Sequence, residues 1–253
     1  MTARARLVVF LAAAAVLAAF FAVACTQLPE FGAQSHPYGD RAVAAALAHR
    51  TANAVSSVNF DVRAFDTLGE ESILFGTVLG ATLLLRRARD ERHRRAGAER
   101  VMPTTRLFGT LLLPITLVVG VYVVAHGQLS PGGGFQGGVV LATGLHLAYV
   151  AADYRALRRL RPLTVLDVAD SLAAASYSLV GLAGLIAGGA FLANVLPLGT
   201  FNEITSGGTV PVLNAAVGVE VACALIALLA HFLDQAVELA DPEDTDAHRS
   251  GGH

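Results

Sequence analysis

The chain has 253 residues, of which 54% are apolar and only 15% charged, and its mean hydropathy is +0.57. A soluble domain of this length carries about a quarter charged residues, so an ordinary water-soluble globule is excluded. The formal net charge is −2, which excludes the broad positive field that a nucleic-acid partner requires. The two cysteines, Cys25 and Cys223, form neither a disulfide framework nor a metal-ligand spacing.

A membrane-crossing helix needs about 20 mostly apolar residues at a rise of roughly 1.5 Å each. The first stretch of that kind is Leu7–Ala24. Arg4 and Arg6 precede it, and Ala22-Val23-Ala24-Cys25 follows. This pattern also fits a cleaved signal peptide, or a lipoprotein signal with Cys25 as the acylated residue, so both readings stay open. Next comes a polar segment, Leu28 to Ala64. Within it Val43, Leu47, Ala54, Val55 and Val58 recur at helical spacing, with His49, Arg50, Asn53 and Ser57 elsewhere on the wheel. The pattern predicts one extracytoplasmic amphipathic helix lying along the interface or against a partner.

The second span, Phe65–Leu85, starts with Asp66, Glu70 and Glu71 in its first turns. Asp66 and Glu70 are four residues apart and share a helix face. They form either an uptake site for protons or cations, or a set of N-terminal carboxylates favoured by the helix dipole. The link Arg86–Arg106 follows, with eight arginines; it reads as a solvated connector.

The third and fourth spans, Leu107–Ala125 and Gly134–Ala152, are separated by Pro131-Gly132-Gly133-Gly134-Phe135-Gln136-Gly137-Gly138. No Lys-Ser/Thr follows this run and no strand precedes it, so it is not a phosphate cradle. Its glycines permit positive φ and close packing. Glycine-rich backbone at membrane depth is tolerated only under cover of protein or beside a water-filled cavity, so the loop is expected to be buried against a partner chain or a cavity. His126 and His146 lie at the outer end of the third span and inside the fourth. Neither has a ligand-spaced companion, so no metal and no cofactor is expected; His146 is a weaker candidate for proton relay.

The fifth span, Leu172–Leu196, carries Gly181, Gly184 and Gly188 at spacings that allow tight helix contact. The sixth, Val210–Leu233, places Glu220 near mid-membrane. A charged carboxylate there costs about 2.5 kcal/mol or more. Glu220 is therefore a candidate for ion handling, or a neutral Glu making a hydrogen bond between subunits.

With six crossings, fifteen of the 18 arginines fall on one side, and only Arg41, Arg50 and Arg63 on the other. The rich side is cytoplasmic by the positive-inside rule. Both termini are then cytoplasmic and the glycine loop faces outward. The expected fold is an all-α integral membrane protein of the cell (inner) membrane, with about six transmembrane helices and one extracytoplasmic amphipathic helix. It divides into a two-span segment (1–87), an arginine-rich linker (88–103), a four-span domain (104–240) and a disordered tail (241–253).

His126-Gly127-Gln128-Leu129-Ser130-Pro131-Gly132-Gly133-Gly134-Phe135-Gln136-Gly137-Gly138 resembles the signature of the MnhB family in the Mrp/Mnh multisubunit Na+/H+ antiporters, and of its counterpart in energy-converting membrane-bound hydrogenases. Ser206-Gly207-Gly208-Thr209-Val210-Pro211 and Asn214-Ala215-Ala216-Val217-Gly218 extend the match over about residues 104–235. Asp61 to Glu70 resembles the C-terminal end of the large antiporter polypeptide, or a small membrane polypeptide of the hydrogenases. The resemblance implies a non-catalytic component of a hetero-oligomer of antiporter or hydrogenase membrane subunits, embedded in the bilayer, with Na+ and H+ as the transported ions and no redox cofactor of its own. It implies a scaffolding role together with lining part of an ion path, for which Asp66, Glu70, Glu220 and His146 are the candidates. The alternative it carries is the ion-translocating membrane arm of a hydrogenase or complex I-like oxidoreductase. Two departures stand out. Many antiporter versions read Gly-His-Asn where this chain has His126-Gly127-Gln128, and hydrogenase versions often have Lys in place of Glu220.

Overall fold

The computed structural model describes residues 3–28, 36–85, 102–151 and 163–236, and every regular element among them is helical. The arginine-rich link (residues 86–101), the arginines of residues 152–162 and the tail from residue 237 lie outside the described residues.

The first unit, Met1–Asp40, is a body of its own. Its main element is α1, Ala3–Thr26. Apolar side chains surround this helix on every side, and it is long and apolar enough to cross a membrane. Its last turn closes with Thr26 Oγ1 donating to Val23 O at 2.8 Å.

The second unit runs from Arg41 onward. Helix α2, Pro37–Ala48, leads into it and stops at a sharp break. Arg50 adopts a left-handed conformation (φ 56°). Asn53 then caps the short helix α3, Ala54–Ser57, its Oδ1 accepting from Val55 N and Ser56 N. A π-helical turn, Val58–Val62, continues to α4, Ala64–Leu84. The expected continuous helix over 43–58 is thus interrupted. The cap competes with helix propagation, because an Asn side chain satisfies the donors of a new first turn better than it fits a helix interior. The polarity of the segment is also inverted: Thr51, Ser56 and Ser57 are buried while Val43, Leu47 and Val55 are exposed.

Helices α5 (Pro103–Ala125) and α6 (Gly134–Ala151) form a hairpin around the glycine loop. Helix α7 (Leu163–Gly188) and helix α8 (Val210–Ala236) complete the bundle. With α1, the helices α5, α7 and α8 are the ones long and apolar enough to cross a membrane. Of these, α8 is the most deeply buried, and α5 and α7 are far more exposed. Helix α8 is accordingly the central post, packed by α4, α5, α6, α7 and the π turn. The core beside it gathers Phe60, Ala64, Tyr177, Leu192, Val210, Leu213, Val217 and Val221.

The fifth predicted span shifts toward the N-terminus. Helix α7 begins at Leu163 and ends at Gly188, not Leu196. Gly189, at φ 74°, donates its N–H to Leu185 O and terminates the helix, a left-handed glycine stop. The chain then folds back on the glycine face of α7. A Cβ built on Gly184 would lie 2.7 Å from Ala193 N, and one on Gly181 would lie 2.4 Å from the Phe191 ring. Leu192 N donates to Gly181 O at 3.2 Å. The small residues of α7 therefore seat this chain's own return loop.

Candidate functional site

The glycine loop sets the geometry at one end of the bundle. Gly132 and Gly133 have φ of 136° and 138°, a region that L side chains avoid. Asn214 of α8 faces this loop. Its Oδ1 accepts from Gly134 N at 2.8 Å and so caps α6, while its Nδ2 donates to Ser56 Oγ at 2.9 Å and Val210 O at 3.1 Å. Asn53 closes the other side, its Nδ2 donating to Gly127 O and Ser130 O at 2.8 Å each, and its backbone N to Gln128 O. Gln128 is fully buried and donates to Ile204 O. A Cβ on Gly134 would meet Asn214 O at 2.5 Å; one on Gly137 would meet Val124, and one on Gly138 would meet Val221. The glycines thus let α6 approach both α5 and α8 at backbone distance. Pro131 is exposed and Phe135 half-buried. The cover that the sequence demanded for this loop comes from the chain itself.

Below that end, ionisable side chains point into the bundle. On α4 the buried positions are Ala64, Thr67, Glu71 and Val78, a stripe at helical spacing. Opposite them, Phe65, Ile73, Leu79, Leu83 and Leu84 face outward. Glu71 is 2% exposed and Glu220, on α8, 0%. Their carboxyls face one another across the contact of α4 with α8. Apart from one another, the four carboxyl oxygens have no hydrogen-bond partner among the described residues. Tyr177 of α7 is buried just above, donating its hydroxyl to Ala64 O at 2.9 Å. Asp170, two turns along α7, is close enough to act electrostatically on Glu220, and its Oδ1 is buried without a partner.

Of the expected site residues, Glu220 lies at the centre of this arrangement. Asp66 and Glu70 lie on the exposed side of α4. Asp66 is tied to the preceding turn by Arg63, whose Nε donates to its Oδ2 at 2.6 Å. His146 is half-buried on α6 beside the backbone of Leu225, and its Nε2 has no partner. Glu71 and Asp170 join the site without having been candidates from the sequence. A signal for both exists in the chain: Ala64-Thr67-Glu71 and Asp170-Ala173-Tyr177-Gly181-Gly184 are stripes of polar and small residues at spacings of three and four. No group of three or more His, Cys, Asp and Glu among the described residues is arranged to hold a metal ion.

Residues 104–227 match the family described as "Domain related to MnhB subunit of Na+/H+ antiporter". This chain carries an MnhB-related domain. The match takes in the glycine loop, α5 to α7 and most of α8, including Glu220 and Asp170. An uncharacterized protein of Methanocaldococcus jannaschii is 28% identical over 202 residues, 68% of this chain and 74% of its own length. Among solved structures, a chain of the membrane-bound sulfane sulfur reductase, an archaeal respiratory membrane complex, is 26% identical with a TM-score of 0.70; the likeness covers 90% of this chain and 98% of that one. A chain of the Mrp complex from Dietzia sp. DQ12-45-1b shares the fold, with a TM-score of 0.64 at 24% identity. That likeness covers 91% of this chain but 26% of the other, so this protein corresponds to about a quarter of a longer polypeptide. The MnhB-related domain, its apolar helices and these neighbours support a multi-pass membrane component of a cation/proton antiporter-type complex, associated with other membrane subunits.

Proposed function

We propose that this protein is a non-catalytic subunit of a monovalent cation/proton antiporter in the cell membrane, crossing the bilayer six times with both termini cytoplasmic. It scaffolds its neighbours through the glycine-loop end of the bundle and lines part of the ion path with the carboxyls of Glu71 and Glu220. The observation that carries the reading is this facing pair, buried in an apolar helix bundle with no counter-charge and no hydrogen-bond partner but each other among the described residues. Ionisable groups inside membrane helices mark ion and proton pathways. Two carboxyls side by side, shielded from water, repel each other when both are charged; a proton or a monovalent cation relieves that repulsion. Exchange of one for the other at the same oxygens is the chemistry of antiport.

Asp66 and Glu70 occupy the exposed shoulder of α4, where they raise the local concentration of cations at the mouth of the path. His146 extends the set of polar groups on α6. The exposed apolar positions Val43 and Leu47 of α2 and Val55 of α3 meet lipid headgroups or a neighbouring chain of the complex, while Ser56 and Ser57 of α3 stay inside. Na+ is the cation expected from the family resemblance. The decisive experiment is sodium-driven proton flux in the reconstituted complex. Glu220→Gln and Glu71→Gln should each assemble normally and lower flux at least tenfold, which corresponds to about 1.4 kcal/mol. Unchanged flux in both, with normal assembly, sinks the assignment.

A second reading is the ion-translocating membrane arm of a respiratory complex. It is favoured by the near one-to-one correspondence in length with the chain of the sulfane sulfur reductase. Isolating the native complex in mild detergent and identifying iron–sulfur proteins among its companions would decide for it.

A further inference from the structure

We propose that Asp170 carries protons between Glu220 and the end of the bundle opposite the glycine loop. This rests on the ion-path reading of Glu220 and supplies the half of the route that the Glu71–Glu220 pair leaves undefined.

The placement of residues along α7 and α8 carries the argument. Tyr177 lies beside the start of α4, at the loop end. Asp170 is seven residues from it, about 10 Å farther along the helix. Asp167 is one turn farther still and exposed. On α8, Cys223 is one turn beyond Glu220 and is buried. It sits close enough to feel both Asp170 and Asp167, while Glu220 feels Asp170. Helix spacing thus steps these groups away from the glycine loop along the packed contact of α7 and α8: Glu220 then Cys223 on α8, Asp170 then Asp167 on α7. At its upper end stand the fully buried oxygens of Glu220; at its lower end stands an exposed carboxyl. The midpoint is a carboxyl with one oxygen buried and unpartnered.

The step is a proton transfer. The O–H bond of protonated Glu220 breaks as an intervening water takes up the proton. That water releases a proton to the Asp170 carboxylate, where a new O–H bond forms. Glu220 is left ionised and free to accept a proton or a cation from the Glu71 side. Asp170 then passes its proton to water at Asp167. Charge is conserved at each transfer and no redox partner is required. Aspartate in place of an apolar residue on a helix face that also carries Ala173, Tyr177 and Gly181 is otherwise an unexplained destabilisation within the bundle.

The test uses the whole complex in proteoliposomes with a trapped pH-sensitive dye. Asp170→Asn should assemble and lower proton flux at least tenfold, Asp170→Glu should keep at least a third of it, and Asp167→Asn should lower it two- to threefold. Wild-type flux in Asp170→Asn overturns the proposal. If that variant fails to assemble, carbodiimide labelling of the wild-type complex decides, since the reagent modifies protonated carboxyls in apolar surroundings. Adducts on both Glu220 and Asp170 are expected, and an adduct on Glu220 with none on Asp170 at any pH overturns it. Loss of flux in Glu220→Gln with full flux in Asp170→Asn would overturn this inference alone, whereas full flux in both would remove the ion-path reading beneath it.

Discussion

The two polar regions of this bundle treat their side chains in opposite ways. At the glycine-loop end, Asn53 and Asn214 engage both their amide donors and their carbonyl acceptors: Asn53 ties the glycine loop to the start of α3, and Asn214 joins α8 to α6 and α3. Deeper in the bundle, Glu71 and Glu220 are equally buried and have no partner but each other among the described residues. Satisfied neutral amides fix a shape, whereas unsatisfied carboxyls leave capacity for something to bind. Burial alone does not separate architecture from function here; partner count does.

Substitutions at the two ends should therefore fail differently. The largest effect is expected at Gly134. A Val there drives its Cβ into the Asn214 carbonyl and should abolish assembly of the complex on size-exclusion chromatography. Next comes Asn214→Ala, which strands Gly134 N and Ser56 Oγ in the interior. At about 1–3 kcal/mol for each buried group left unpaired, the thermal midpoint of the purified complex should drop by several degrees. By contrast Glu71→Gln and Glu220→Gln remove an ionisable group while keeping an amide that can hydrogen-bond the facing carboxyl, so the thermal midpoint should hold or rise while flux falls. The double variant should be no worse than either single one, because the pair acts as a unit. A Glu220→Gln protein that unfolds as readily as Asn214→Ala would erase the contrast. The smallest effect is expected at Asp66. Its pair with Arg63 has half-exposed partners and adds little stability, so Asp66→Asn should change flux less than threefold, and mainly at low ionic strength.

Much of this architecture is legible in the chain. High hydropathy locates α1, α5, α7 and α8, and the glycine run locates the α5–α6 hairpin with its close packing. Asn53 reads on a helix wheel as part of a polar face; its side chain instead starts a new helix, because the donors of a first turn are satisfied locally. The carboxyls are harder. Asp66 and Glu70 form a conspicuous i, i+4 pair, but in an apolar solvent the informative face is the one carrying small and polar residues, and that face holds Glu71. Asp170 escapes a span that starts at Leu172, two residues too late. Hydropathy windows trim a helix where an acid occurs, and the trimmed acid here is the one on which the proposed proton route turns. Gly181, Gly184 and Gly188 announce a close neighbour correctly, but spacing on a helix wheel does not say whether that neighbour is another helix or the chain's own return.

Helix α8 also works as a shaft. Asn214 clamps its upper turns to the α6 cap and to Ser56, and Glu220 rides the same rod six residues, about 9 Å, lower. Since each residue of helix advances by about 100°, a slip of one position at the clamp would swing the carboxyl away from Glu71 altogether. The glycine hairpin thereby sets the aim of an acid it never touches, and any neighbouring chain that pulls on the hairpin would gain leverage over the ion path proposed for that acid.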